Sequence, residues 1–474
     1  MSLARKIAVN TILQVVGKGI GLVLSLVTAA FLLRYLGLTG NGQYGTVLAF
    51  LMIFAVISDF GLYILLLKKL SRDDDSARRN VNNIFTMGLV SGIFFLGLAP
   101  LAGAFMPYPG IVKMGILIAS GFYLFVALTH LLSAIFMRFL STYWIVLGDF
   151  LGKVSNLLLI LLCIFLKMDL KWILAATVIG ASLQFLVSFL ASRRYFKIRL
   201  AFDFTIWKDL LREAWPVALS IVFALIYFKA DIIILSLFRP EAEVGMYYAP
   251  FKLLEVIITF PAMFAGLMIP LLTKAWHERL LDDYRHMLQN AFDFLVISAV
   301  PMVGGCLVLA EPIMEILGGK AFIVSAPILK ILIFATAAMF PDILFGYLVV
   351  SLNQQRKMLW MYAIIAVTSL VLYFALIPRF SYWAAAGVTV YSQMVTVLAA
   401  YVICYRASGV GVNLNVFFKS LLATAIMACV LKVTERYSLP LSVTFGALSY
   451  LAVLFLSGGI SKQQIREIIA MRAK

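Results

Sequence analysis

Six ionisable residues stand inside stretches that are otherwise apolar: Lys18, Asp59, Lys229, Asp231, Lys252 and Glu255. A charge at the centre of a membrane span costs about 2.5–3.5 kcal/mol even on the lenient insertion scale, so such residues face a wet cavity or a partner. Lysines in a wet cavity suit an anionic ligand, because an ammonium donates charge-assisted hydrogen bonds to phosphate oxygens. The carboxylates Asp59, Asp231 and Glu255 then become candidates for proton binding or for pairing with those lysines. The first apolar run buries Lys18 and the second Asp59, each about nine residues from the same end of oppositely directed helices. At about 1.5 Å per residue, both lie roughly 13 Å deep.

Plainer roles compete for each residue. Lys18 has enough methylenes to snorkel to the headgroups. Asp59 has no basic residue one turn away, so its partner is Lys18, another helix or water. Lys229 and Asp231 are two apart and face different ways, whereas Lys252 and Glu255, three apart, share a face and fit a local ion pair. A Lys229–Glu255 pair between helices is equally open. Asp149 and Lys153 have the favourable four-residue spacing, His130 reads as a packed residue, and Asp293, Lys330 and Asp342 are further buried candidates.

Covalent chemistry finds no support. The chain lacks a His-Glu-x-x-His pair, a nucleophile elbow and a nucleotide loop; Gly17-Lys-Gly-Ile-Gly21 misses the Walker spacing. Cys163, Cys306, Cys404 and Cys429 all fall in apolar runs without metal-ligand spacing. The expectation is a protein that is not an enzyme and uses no metal or cofactor, with a proton or sodium gradient as its energy source.

The elements that position these charges follow from composition. Of 474 residues, 63% are hydrophobic and only 13% charged, against about a quarter charged in soluble domains. The apolar runs mostly exceed the 18 residues that a helical span needs, and they lack the alternation of a barrel. The fold class is an all-α integral membrane protein with about fourteen transmembrane helices. The spans fall at 10–33, 44–68, 84–106, 113–136, 145–167, 172–191 and 215–238, then 246–272, 290–310, 323–350, 359–377, 382–404, 416–433 and 439–458. Most Lys and Arg then fall on the side of the N-terminus, which by the positive-inside rule puts both termini in the cytoplasm. That rule accounts for the net charge of +17 without nucleic acid.

The longest link, 192–214, carries Arg193, Arg194, Lys197, Arg199, Lys208 and Arg212. Within it Ile206, Trp207, Leu210, Leu211 and Ala214 oppose Lys208, Asp209, Arg212 and Glu213, the pattern of an amphipathic helix at the membrane surface. The tail 460–474 repeats the pattern with Ile465, Ile468 and Ile469.

A repeat divides the chain. Gly42-Gln-Tyr-Gly45 opens the second span as Gly245-Met-Tyr-Tyr248 opens the eighth, an offset of 203 residues. The expected domains are a six-helix bundle over 1–203, a second over 204–408, and two added helices with an amphipathic tail over 409–474. Both bundles start on the same side, so they are parallel repeats about an axis along the membrane normal, and transporters so built bind substrate between the halves.

The sequence resembles the Wzx-like polysaccharide flippases of the multidrug/oligosaccharidyl-lipid/polysaccharide exporter superfamily. The resemblance rests on Ala4-Arg-Lys-Ile-Ala-Val-Asn10, Arg34-Tyr-Leu-Gly37, Gly42-Gln-Tyr-Gly45, Ser58-Asp-Phe-Gly-Leu62 and Leu211-Arg-Glu-Ala-Trp-Pro216. It implies two six-helix bundles in a V, lined by helices one, two, seven and eight. It also implies an isoprenoid diphosphate-linked oligosaccharide as substrate, carried across the cytoplasmic membrane by alternating access, with membrane lipids and the polysaccharide polymerase machinery as partners. On that reading Lys18, Lys229 and Lys252 meet the diphosphate, and Asp59, Asp231 and Glu255 serve coupling. Lipid II flippases of the same superfamily also have fourteen helices, but their cavities favour arginine. Drug and cation antiporters have twelve helices and more acidic cavities. A polytopic glycosyltransferase or ligase would need carboxylates on a sizeable loop.

Overall fold

The computed structural model describes residues 3–70, 77–434 and 436–459. The expectation for the tail 460–474 lies outside the described residues. The helices in chain order are α1 (Leu3–Asp59), α2 (Leu62–Leu70), α3 (Ala77–Ala104), α4 (Gly110–Arg138), α5 (Tyr143–Phe165), α6 (Leu170–Ser192) and α7 (Phe204–Phe238). Then follow α8 (Glu241–Ile257), α9 (Thr259–His277), α10 (Leu281–Gly318), α11 (Ala326–Ser351), α12 (Gln355–Ser408), α13 (Asn415–Thr434) and α14 (Leu439–Leu456). Among the described residues twelve helical runs are long and apolar enough to cross a membrane. Two of them, Leu13–Leu70 and Gln355–Ser408, span 58 and 54 residues, enough for two crossings each at about 1.5 Å per residue.

Helices dominate because a chain without water around it must satisfy every backbone group within the segment. Their outer faces carry bare aromatics and aliphatics, such as Phe94 at 59% and Leu456 at 82% exposure. In water such a surface would be an association liability; in lipid it is the ordinary solvent-facing side.

Each interruption of a helix has a local cause. Gly37 takes φ 63°, and this bends α1 between its two crossings. The carbonyls freed there are met by the buried Asn41 amide, which donates to Gly37 O at 2.7 Å and Leu33 O at 3.1 Å. The long second crossing breaks at Phe60 and Gly61, with φ of 45° and 76°, and Ser91 of α3 donates to the Ser58 carbonyl at 2.8 Å. Pro261 lacks the N–H that would bond back to Ile257, and α8 gives way to α9 at that point. Within α12, Ser381 adopts φ 53° three residues after Pro378.

The chain forms two compact units. The first is Met1–Tyr248 with Ala366–Ala385, the second Ala249–Ile365 with Ala386–Lys474. In the first, α1 packs along α3, α4, α5 and α7, and α2, α3, α4 and the start of α7 share a core that includes Leu62, Leu66, Ile84, Leu131 and Phe136. In the second, Leu272, Leu295, Phe340, Leu344 and Ala400 form the main core, and α13 and α14 close a satellite of Met427, Leu431, Tyr450 and Leu454 against Leu309 of α10. Tyr450 ties that satellite down, donating to Ile297 O at 2.9 Å and meeting Ser420 at 2.6 Å.

The link 193–203 departs from expectation. Leu210 and Ala214 at the start of α7 are buried in the α2–α3–α4 core, with Ile206 and Trp207 packed beside them. Most of the apolar face expected at the membrane surface therefore points into the protein, and Leu211 alone of it is exposed. The link itself is strapped to α3: Arg199 N–H donates to Asn82, Ala201 N–H to Thr86 and Asp203 N–H to Asn83, each at 3.0 Å. Asp203 also caps α7 through Ile206 N–H and pairs with Arg79 at 2.5 Å. Glu213 pairs with Lys68 at 2.6 Å and Lys69 at 2.9 Å. These cations hold both carboxyl groups below their ordinary range, mainly through the hydrogen bonds they donate.

Candidate functional site

Four of the six candidate residues lie in the first unit and two in the second. The two in the second, Lys252 and Glu255, form an ion pair of 2.9 Å along one face of α8, the arrangement their three-residue spacing allows. On α7, Lys229 and Asp231 are both buried, at 5% and 0% exposure. Asp231 accepts from Tyr247 Oη at 2.5 Å and from Ile232 N–H at 2.7 Å, and Lys229 Nζ stands 5.5 Å from the Phe228 ring centroid. A carboxylate and an ammonium thus share one turn of a helix deep in an apolar span, each served by its own neighbours.

Lys18 is not buried: it is exposed on α1. Gly17 and Gly21, one turn apart, take the contact with α5 instead. A Cβ at Gly17 would strike Val146, and one at Gly21 would lie within 2.8 Å of both Lys153 Nζ and Asp149 Oδ2. A residue next to Gly17 in sequence is rotated by about 100° from that face, so Lys18 points off it. The Asp149–Lys153 ion pair forms at 2.9 Å as the spacing suggests, seated on Gly21.

Asp59 is half-buried and stands at the break between α1 and α2 rather than inside a continuous helix. Gly61 N–H donates to its carboxylate, and its charge is felt by His130 of α4. His130 is exposed, not packed away, and the Tyr63 ring stacks on it at 3.9 Å between centroids. The charged neighbour of Asp59 is a histidine 71 residues away, and no sequence signal points to it.

The repeat-related turns meet. The Glu241 carbonyl oxygen occupies the space a Cβ at Gly42 would take, and the Leu38 carbonyl oxygen occupies that space at Gly245. Leu38 and Glu241 are themselves 203 residues apart, as are Gly42 and Gly245. The contact is therefore reciprocal, the signature of a local two-fold relation between repeats. Tyr248 lies over its own equivalent Gly45, whose Cβ would fall 2.7 Å from the ring. Gln43 donates to Glu241 at 3.1 Å, Arg239 to Glu243 at 2.9 Å, and Ser381 donates to Glu243 as well. Tyr108 adds a bond to Ser236 at 3.0 Å. Sequence spacing found the paired glycines but not Asn41, Glu243 or Ser381, although Gly37 followed four residues later by Asn41 is a legible helix-end signal.

Comparison with known proteins places this architecture. The sequence profile of the family described as "Polysaccharide biosynthesis protein" matches residues 3–276. No curated protein matches by sequence. Among solved structures, the chain is similar to the lipid II flippase MurJ in an inward closed conformation, with a TM-score of 0.75 and 14% identity over 97% of this chain and 100% of that one. It is similar to an inward-facing multidrug resistance MATE family transporter of the MOP superfamily, with a TM-score of 0.63, 12% identity and coverage of 84% and 97%. A MOP superfamily transporter from Pyrococcus furiosus matches with a TM-score of 0.63, 13% identity and coverage of 85% and 95%. A helical membrane chain with this repeat, fold and profile is a transporter rather than an enzyme, and it belongs to the polysaccharide biosynthesis protein family on the fold of the MOP exporters.

Proposed function

We propose that this protein carries an isoprenoid diphosphate-linked oligosaccharide from the inner to the outer leaflet of the cytoplasmic membrane by alternating access. The observation that carries the reading is the reciprocal crossing at Gly42 and Gly245. In this reading the two turns, which meet within the first unit, are the contact that opens for release on one side. With both termini in the cytoplasm, that contact faces outward. In the same reading Lys18 and Lys229 offset the cost of moving a diphosphate past hydrocarbon while the isoprenoid stays in lipid, and Lys252 does so once it leaves its ion pair with Glu255. The polysaccharide polymerase machinery is the partner that receives the product.

The coupling ion in this reading is a proton. Asp59 at the α1–α2 break lies within electrostatic reach of His130 on α4, with Tyr63 of α2 stacked on the imidazole and Ser91 of α3 bonded at the break itself. An imidazole takes up protons and does not ligate sodium when protonated. The position at a break lets a change of charge bias one of two helix arrangements.

Vesicles loaded with labelled lipid-linked oligosaccharide test the reading. Changing Lys18, Lys229 and Lys252 singly to Gln should lower flipping in each; unaltered rates in all three would reject the cationic path. Retained flipping of a neutral-headed lipid by the same variants would separate loss of anion handling from loss of fold.

A further inference from the structure

The strap between α6 and α7 has a second side. Over 199–203 alternate backbone N–H groups are spent on α3, at Arg199, Ala201 and Asp203. In an extended segment side chains alternate between two faces, and here Leu200 and Phe202 are turned outward at 61% and 58% exposure, with Phe204 following at 72%. The row continues onto α7. Phe204, Lys208, Leu211 and Trp215 fall at helical spacing and are all exposed. Phe202 and Phe204 flank Trp207 at 6.0 and 5.4 Å between ring centroids, and the indole N–H is held by Asn83 at 3.2 Å.

Charge around this row is lopsided. Two acids of the segment, Asp203 and Glu213, are tied to Arg79, Lys68 and Lys69 of α2 and α3. Lys197, Arg199, Lys208 and Arg212 are exposed, and among the described residues none of them forms an ion pair with a carboxylate. Asp209 is the acid left among them.

We infer that the segment 197–215 is a binding surface for anionic phospholipid of the cytoplasmic leaflet. The apolar row enters the acyl boundary, and the four cations meet phosphates just above it. This rests on the sidedness assigned under the proposed function. The partner is lipid and not a soluble anion because the cations are interleaved with large apolar side chains, a pairing that suits an interface having both components. Of the apolar face expected at the start of α7, only Leu211 takes part in this surface, because Ile206, Trp207, Leu210 and Ala214 pack into the bundle.

The test uses full-length protein in phosphatidylcholine vesicles containing brominated lipid, with quenching of Trp207 and Trp215 read against a Trp207→Phe/Trp215→Phe control. Brominated phosphatidylglycerol should outcompete brominated phosphatidylcholine by at least about fivefold, the factor one interfacial cation supplies. That preference should shrink at high salt and vanish in Lys197→Gln/Arg199→Gln/Lys208→Gln/Arg212→Gln. A Leu200→Ser/Phe202→Ser variant should lower quenching by both lipids and keep their ratio. Equal quenching by the two lipids in the wild type overturns the inference, as does a preference that survives in the fourfold variant. A failed preference alongside intact flipping in neutral vesicles removes this surface alone, whereas lost flipping in all conditions bears on the transport reading.

Discussion

At the scale of single residues, placement on the helix decides what each charge does. Lys252 and Glu255 neutralise one another at 2.9 Å, while Asp59 feels the charge of a histidine on another helix. If that pair binds the coupling proton, Asp59→Asn should leave lipid-linked substrate binding in place. It should also abolish acceleration of flipping by an imposed pH gradient, measured in vesicles with opposed internal and external buffers. His130→Gln should reduce the same acceleration, and a full response in both variants would remove the pair from the coupling scheme. Asn83 has a different task. It is buried and its Oδ1 serves both Asp203 N–H and the Trp207 indole, so Asn83→Ala strands two donors and should cost about 1–3 kcal/mol. Thermal unfolding in detergent reads that loss, and trypsin cleavage at Lys197 and Arg199 should speed up with it.

At the scale of elements, the close crossing of α1 and α8 and the strap on α3 behave differently. The crossing depends on two missing side chains. Gly42→Val or Gly245→Val puts carbon where a carbonyl oxygen sits, so the turns cannot meet. A Gln43→Cys/Glu241→Cys pair, in a background with the exposed Cys429 changed to Ser, should cross-link readily and should stop doing so when Gly42→Val is added. The strap depends on charge instead. Asp203 and Glu213 have their pKa values lowered from 3.8 and 4.5 by the cations that donate to them. A carboxyl group depressed in the folded state contributes stability that is complete above its ordinary pKa and is lost as pH falls through the depressed one. Protection of the 199–203 amides, measured by hydrogen exchange relative to intrinsic rates, should therefore be constant from neutrality to about pH 4.5 and fall below it. Glu213→Gln should remove the part of that fall due to Lys68 and Lys69.

For the whole molecule, the expected topology makes a direct statement about sides. With both termini in the cytoplasm, a tag after Lys474 should be cleaved by protease only in inverted vesicles, and a tag between Arg239 and Glu241 only in right-side-out ones. Much of this architecture is one-dimensional information. Run length against bilayer thickness fixes the helical class and the approximate spans, and the bias of Lys and Arg fixes an expected orientation, because each depends on the solvent around a segment and not on its neighbours. The 203-residue offset of Gly42 and Gly245 was readable for the same reason, being a pattern along the chain. What tertiary structure decided is every relation across helices: that the two glycines touch, that Asp59 feels the charge of His130, that Lys18 is turned away while Gly17 and Gly21 take the contact, and that most of the apolar face at the start of α7 is buried. Such relations depend on crossing angles and on which of several apolar faces packs best, and a chain greasy on all sides of its helices carries no amphipathic stripe to announce that choice.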